Sequence, residues 1–176
     1  MMGVHSGYRS RRLARFGSAL VLGLLLLTHE ADAQSDLSAS DAEEIGTSAV
    51  DAAERATKAL PGRASQDEAR AVLTAAVADC TRAAIRKYGP YRAMWTAEAI
   101  ERALEQERIN PAAIGAGLAM AALTLEPLSG LQVADAVGAA NVVPVRDAFQ
   151  RTAIASDTEY GEILAYTVSS HIPLGR

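Results

Sequence analysis

The chain has 176 residues, of which 49% are hydrophobic and only 5% aromatic, with a formal net charge of -4 and a single cysteine. This length supports one domain with its own hydrophobic core. A mildly acidic chain whose residues after position 33 contain no block of Lys and Arg argues against binding to nucleic acid or to an anionic membrane surface. One cysteine can form no internal disulfide, so the core has to stabilise the fold.

The N-terminal segment has the three parts of a secretory signal peptide in the usual order, namely a basic segment, an apolar run and a cleavage site. Four arginines precede the apolar run Phe16–Leu27, and Ala31 and Ala33 stand at the -3 and -1 positions of a small-residue cleavage site. The run is shorter than the roughly 20 apolar residues that a membrane-spanning helix needs. We therefore predict a signal peptide over residues 1–33 and a mature chain of residues 34–176, exported to a periplasm or out of the cell.

Helix starts are marked by three Ser-x-x-Glu patterns with the spacing of a capping box. In that motif the hydroxyl accepts a hydrogen bond from the N3 amide, and the carboxylate accepts one from the cap amide. The patterns are Ser40–Glu43, Ser65–Glu68 and Ser156–Glu159. They predict helices over about 41–60 and 66–88, and a last helix that leads from Asp157 and ends before Pro173. Gly89 is expected to end the second of these in a left-handed conformation.

Prolines mark the remaining helix starts. Asn110 followed by Pro111 is typical of an N-cap with proline at the first helical position, whereas Pro127 and Gly130 are expected to break the helix that follows. The helices predicted in this way cover about 90–109, 111–125, 131–140 and 143–154. Their lengths show no fixed repeat period, so a helical solenoid is not indicated. We predict an all-α fold, a single-domain array or bundle of about six to seven Ala-rich helices.

The stretch Asn110–Pro127 has no charged residue before Glu126. Its helical part has about 15 residues, which is the length of a core helix and not of a membrane span. Small residues with four-residue spacing allow a neighbouring backbone to approach closely; they are Ala112, Gly115, Ala116 and Ala119. We predict a central core helix. An oligomer or partner interface is the alternative, followed by membrane association.

Cys80 lies in a helical pattern that places it on one face with Leu73, Val77 and Ala84. Free cysteine is among the most frequently buried residue types. We predict that Cys80 is a buried small hydrophobic side chain. An intermolecular disulfide or a reactive thiol is the alternative.

Few residues of the mature chain could support catalysis. After the predicted cleavage site the only histidine is His171, in a tail that is expected to fray, and no serine stands in a G-x-S-x-G context. A zinc site needs several Cys or His ligands at short spacing. We therefore predict no metal and no cofactor, and the sequence favours a non-catalytic protein without deciding the question.

Carboxylates are the remaining catalytic option. Glu98, Glu101 and Glu105 share one face of a predicted helix and could bind calcium or serve as acid and base. However, Glu98 has Arg102 four residues later, as on a solvated helix face. No loop with calcium-ligand spacing accompanies them. We predict a solvated helix face.

The most distinctive surface segment is the sequence IRKYGPYRAMW. It combines aromatic and basic side chains within a few helical turns, and its members are Arg86, Lys87, Tyr88, Tyr91, Arg92 and Trp95. Such a cluster could bind a partner protein or an anionic glycan through cation–π contacts and rigid contact area. The alternative, which we favour for the rings, is that they fill the corner between two helices. If the chain has a binding surface, these six residues are the candidates.

These observations predict an exported, non-catalytic helical protein with a binding, assembly or structural role in the cell envelope. Its partner would be an envelope or secreted protein, or a second copy of the chain. One alternative is a carrier of small apolar ligands, with a pocket lined by Leu118, Met120, Leu123 and Val133. A less favoured alternative is an enzyme that uses carboxylates alone, with Glu101 or Glu105 as the acting group.

Overall fold

The computed structural model describes residues 37–171, in which seven α-helices and one short 3-10 turn form a bundle without strands. The helices are α1 (Ala39–Lys58), α2 (Gln66–Tyr88), α3 (Ala93–Gln106), α4 (Pro111–Thr124), α5 (Pro127–Ala140), α6 (Val143–Ile154) and α7 (Glu159–Ser170), and the 3-10 turn covers Pro90–Arg92. The predicted all-α bundle is thus confirmed. The predicted signal peptide, residues 1–33, lies outside the described residues.

One of the three predicted capping boxes forms as expected. The Ser65 hydroxyl accepts a hydrogen bond from the Glu68 amide at 3.2 Å, and the Glu68 carboxylate accepts one from the Ser65 amide at 2.7 Å. Both bounds of α2 are as predicted. Gly89 has a positive φ of 97° but an extended ψ of 152°, so it ends the helix without adopting the predicted left-handed helical conformation.

The other two capping predictions are wrong by two residues. Ser38 caps α1 through a 3.0 Å bond from the Asp41 amide, because Leu37, the residue before it, packs against the core and fixes the entry of the chain. Thr158 caps α7 by accepting from the Gly161 amide at 3.0 Å. The Ser156 hydroxyl instead donates to a carbonyl at the end of α6. In both cases a hydroxyl side chain two residues away from the predicted serine caps the helix in its place.

The helix α3 is shorter than predicted at both ends. The first turn, from Pro90, is a 3-10 turn, and the last is closed by Arg108, which has a φ of 56°. The amides of Arg108 and Ile109 donate to the carbonyls of Glu105 and Leu104, at 2.9 Å and 3.0 Å. These two bonds form a Schellman motif, which usually has glycine where Arg108 stands. The helix therefore ends before the predicted residue 109.

The helix α5 begins at Pro127 and not at about residue 131 as predicted, because Pro127 and Gly130 are part of the helix and do not interrupt it. Pro127 occupies the first turn, where a missing amide costs nothing, and the Gly130 amide donates to the Glu126 carbonyl at 3.0 Å. A Cβ atom at Gly130 would collide with the Tyr160 hydroxyl of α7 and would lie 2.6 Å from the Ala122 carbonyl oxygen of α4. Because the backbone of α4 cannot move aside as the end of a side chain can, glycine is required here by the close approach of α4 to α5, and it does not end a helix.

The apolar helix α4 fills the core, as predicted, and packs against α2, α5 and α6. A Cβ atom at Gly115 would collide with the Val145 carbonyl of α6, and one at Gly117 would lie 2.6 Å from the Val77 Cβ of α2. The two glycines thus allow two helices to approach α4 from different sides. Between residues 37 and 171, no helix has both the length and the apolarity needed to cross a membrane.

Candidate functional site

A groove lies between α1 and α3, two helices that pack directly against each other. Gly46 of α1 is buried beneath this contact, and a Cβ atom there would lie 3.0 Å from the Ala103 Cβ of α3. The backbones approach at this point, while longer side chains rise on both sides and enclose about 630 Å³. The lining residues are Leu37, Ala42, Glu43, Gly46, Thr47, Val50, Asp51, Trp95, Glu98, Ala99, Arg102, Ala103, Gln106 and Glu107.

The rims of the groove are acidic. Glu43 and Asp51 stand on the α1 rim and are exposed, with Thr47 between them at four-residue spacing on the same helix face. The α3 side contributes two further carboxylates and one cation, namely Glu98, Glu107 and Arg102. None of these five charged side chains takes part in an ion pair within residues 37–171. The groove therefore has an excess of negative charge that no described residue neutralises.

Trp95 is the only tryptophan of the chain, and it lines this groove. Its side chain is half-buried, in contrast to Ala93, Thr96 and Ala97 on the same helix, which are buried. A large aromatic surface with a polar N–H at the wall of an open groove is well suited to contact a ligand. Of the six predicted binding residues, Trp95 lines this groove and the other five do not.

The other members of the predicted patch are distributed over different environments. Lys87 donates a hydrogen bond to Glu44 of α1, which lowers the pKa of that carboxyl and raises the pKa of Lys87. The Lys87 ammonium also lies 4.9 Å from the centre of the Tyr88 ring, and Tyr88 packs against the core at this corner. Tyr91 is 71% exposed on the 3-10 turn. Arg86 is exposed and Arg92 half-buried.

Tyr88 therefore fills a corner between helices, as expected for the structural alternative, whereas Tyr91 and Trp95 remain accessible. The binding role of the six residues stays a prediction.

Glu101 occupies a buried position, whereas the charge pattern of its segment favours a solvated one. Only 2% of the residue is exposed, and neither carboxylate oxygen has a hydrogen-bond partner among the described residues. Burial, reinforced by the negative charges of the neighbouring Glu105 and Glu98, raises the pKa of Glu101 from its usual 4.5 to about 8. The predicted solvated face is thus wrong for Glu101. The expected ion pair between Glu98 and Arg102 is also absent from the described residues.

The signal for this burial is in the sequence but was outweighed by the charge pattern. Glu101 follows Ala93 and Ala97 at four-residue spacing and stands next to Ile100, all of which are buried along α3. A glutamate in an apolar stripe is a candidate buried carboxyl. Glu101 does not line the groove, whereas Glu98 does. The predicted carboxylates therefore do not share one accessible site for acid and base chemistry.

The residues named for an apolar pocket and the single histidine of the predicted mature chain have different surroundings. Leu118 and Val133 are fully buried, whereas Met120, two residues after Leu118 on α4, is 41% exposed, so Leu118 and Met120 lie on different sides of that helix. His171 is held in place, contrary to expectation. Its Nε2 lies 2.6 Å from an Asp135 carboxylate oxygen, and its ring packs over the backbone of α5. Within residues 37–171, no cluster of three His, Cys, Asp or Glu side chains could hold a metal ion.

Comparison with known proteins assigns the chain to no family. No family model matches the chain, and the searches of curated proteins and of solved structures gave no significant match. The groove between α1 and α3 is therefore assigned from its geometry alone.

Proposed function

We propose that the chain is an exported, non-catalytic binding protein of the cell envelope, and that the groove between α1 and α3 is its binding surface. The observation that carries this proposal is the open groove itself, walled by two helices, with Trp95 and five charged side chains around it that form no ion pair with any residue between 37 and 171. Tryptophan is enriched among the residues that contribute most to binding at interfaces. A groove with helical walls is also largely formed before a partner arrives, which lowers the entropic cost of binding.

The charges support a protein partner more than a small apolar ligand. Binding sites for small apolar ligands are lined mainly by hydrophobic side chains that enclose most of the ligand. This groove is open and has charged side chains along its length, as expected for a surface that contacts another chain through an apolar centre and a polar rim.

The export part of the proposal has its own test, which is the N-terminus of the protein recovered from the compartment where it accumulates. The signal-peptide pattern predicts that the exported protein begins at Gln34. A chain that retains Met1 and stays in the cytoplasm would refute export. The binding part does not depend on this result.

The binding surface can be tested by site-specific photo-crosslinking in the producing cell. A photoreactive side chain at Thr47, which is exposed on the groove rim, is expected to trap a partner. The control position is Ile154, which is 59% exposed at the end of α6, a helix that packs mainly against α4 and α7. A defined adduct from Thr47 and none from Ile154 supports the groove. An adduct with the mass of two copies would identify the partner as a second chain, and equal yields at the two positions would refute the proposal.

A further inference from the structure

The charge of the groove restricts the chemistry of its partner, and this step rests on the binding role proposed above. Four carboxylates and one guanidinium line the groove, and within residues 37–171 none of them is neutralised by an ion pair. Like charges that line a cleft with a low-dielectric wall produce a potential that attracts ligands of the opposite sign. The excess of negative charge therefore favours a cationic ligand.

The spacing of the carboxylates favours an extended polymer over a single ion as the ligand of the groove. Glu43 and Asp51 are eight residues apart on α1, which corresponds to about 12 Å along the helix. The α3 wall from Trp95 to Glu107 extends over about 18 Å by the same rise per residue. An extended peptide covers these distances in about four and about five residues. A metal ion would instead need several carboxylates to converge on one point.

Trp95 adds a requirement for the side chains of the ligand. Its ring can stack with an arginine guanidinium or pack against an aliphatic side chain, and cation–π contact with tryptophan is the strongest of its kind. We infer that the groove binds a cationic segment of a partner polypeptide, about five residues long. Two basic side chains about four residues apart would meet the Glu43 and Asp51 carboxylates, and another side chain would cover Trp95.

The test uses the fluorescence of Trp95, because no other tryptophan contributes to the signal. The purified protein is titrated with a blocked hexapeptide that has arginine at its first and fifth positions and leucine at its second and sixth. The matched control peptide has glutamate in place of both arginines. We expect a saturable change in emission with the arginine peptide that weakens at high ionic strength, since exposed charge pairs are screened. Equal binding of both peptides, or no change in emission with either, would overturn the inference.

A charge-matched pair of variants separates the groove from the overall charge of the protein. Glu43→Gln with Asp51→Asn removes two exposed carboxylates from the rim and is expected to weaken binding of the arginine peptide about tenfold, because two exposed ion pairs with the peptide are lost. Asp147→Asn with Glu162→Gln removes the same charges from exposed positions on α6 and α7. This control is expected to change the affinity by less than about twofold. An equal loss in both double variants would overturn the inference.

The two proposals fail in different ways. If the photo-crosslink at Thr47 traps a partner whose attached segment lacks Lys and Arg, the groove is the binding surface and the cationic assignment is wrong. If no partner is trapped at Thr47, the binding function itself is refuted, whichever peptide binds to the purified protein.

Discussion

Replacing Glu101 by Gln is expected to stabilise the protein, and to do so increasingly as the pH rises. The carboxyl is buried in α3 without a hydrogen-bond partner among the described residues, and its pKa is raised to about 8. Well below pH 4.5 it is protonated in both the folded and the unfolded chain, so the folded state has no charge to bury. Stability is then lost progressively as the pH rises from about 4.5 to about 8, where the folded carboxyl also ionises. Glutamine stays neutral throughout.

The size of the effect follows from the two pKa values. One pKa unit corresponds to about 1.4 kcal/mol, so the complete loss in the wild type is about 5 kcal/mol, of which about 4 kcal/mol falls between about pH 5 and about pH 9. A domain of this size has a total stability of about 5–15 kcal/mol. The ionisation of one side chain would therefore remove a large share of it, and Glu101→Gln is expected to raise Tm at the higher pH by about 12 °C more than at the lower.

The assay is thermal or urea unfolding of both proteins across this pH range, and the quantity compared is the difference in unfolding free energy between variant and wild type. A buried amide without partners has its own cost, but that cost does not depend on pH and cancels in the comparison. Glu107→Gln is the matched control, since this glutamate is exposed at the end of the same helix. If the difference for Glu101→Gln is as flat with pH as that for Glu107→Gln, the carboxyl is not buried in its charged form, and the reasoning is refuted.

Three further predictions concern packing, capping and the thiol. Gly115→Ala is expected to lower the free energy of unfolding, measured in urea, by about 2–3 kcal/mol, because the new methyl group would collide with the backbone of α6. The control is Gly62→Ala, which has open space around it and should change the free energy of unfolding by less than about 1 kcal/mol. Equal effects of the two variants would contradict this packing. Ser38→Ala is expected to lower the free energy of unfolding by about 1 kcal/mol and Ser40→Ala by less than about 0.5 kcal/mol, since only Ser38 caps α1. A larger effect of Ser40→Ala would mean that the helix begins two residues later. Cys80 is half-buried and not fully buried as predicted, and this burial raises the pKa of its thiol; alkylation at mildly alkaline pH should therefore be slower in the native than in the unfolded protein, and equal rates would show an accessible thiolate.

The parts of the fold that could be predicted from the sequence depend on interactions between residues close in the chain. Ser65 and Glu68 form their capping box within one turn, and the Asn110 side chain accepts a hydrogen bond from the Ala112 amide at 2.9 Å in front of Pro111. These signals fixed two helix starts correctly, because no distant residue competes for the same atoms. The Schellman motif at Arg108 was missed because a non-glycine residue in the left-handed conformation gives no compositional signal.

The candidate site was predicted only in part. The rarity of aromatic side chains in the sequence points to Trp95, and the fold places it in the groove. The sequence gives no signal for Glu43 and Asp51, because nothing in the sequence of α1 indicates that it will lie beside α3. The charges of Glu98 and Arg102 on the same segment favour a solvated face for Glu101, whereas the structure buries it. In each case the missing information is the identity of the packing partner.

The sequence by itself determined that this chain folds as Ala-rich helices with an apolar helix, α4, as a core element, because helix propensity, capping and hydrophobic periodicity act over a few residues. The tertiary structure alone decided which helix faces meet. Gly46 allows α1 to approach α3 and creates the groove beside Trp95, and the packing around α3 removes the Glu101 carboxyl from water. Burial and electrostatic potential depend on groups that are distant in the chain and close in space, and for this reason the charge of the groove and the pKa of Glu101 emerge only when the helices are assembled.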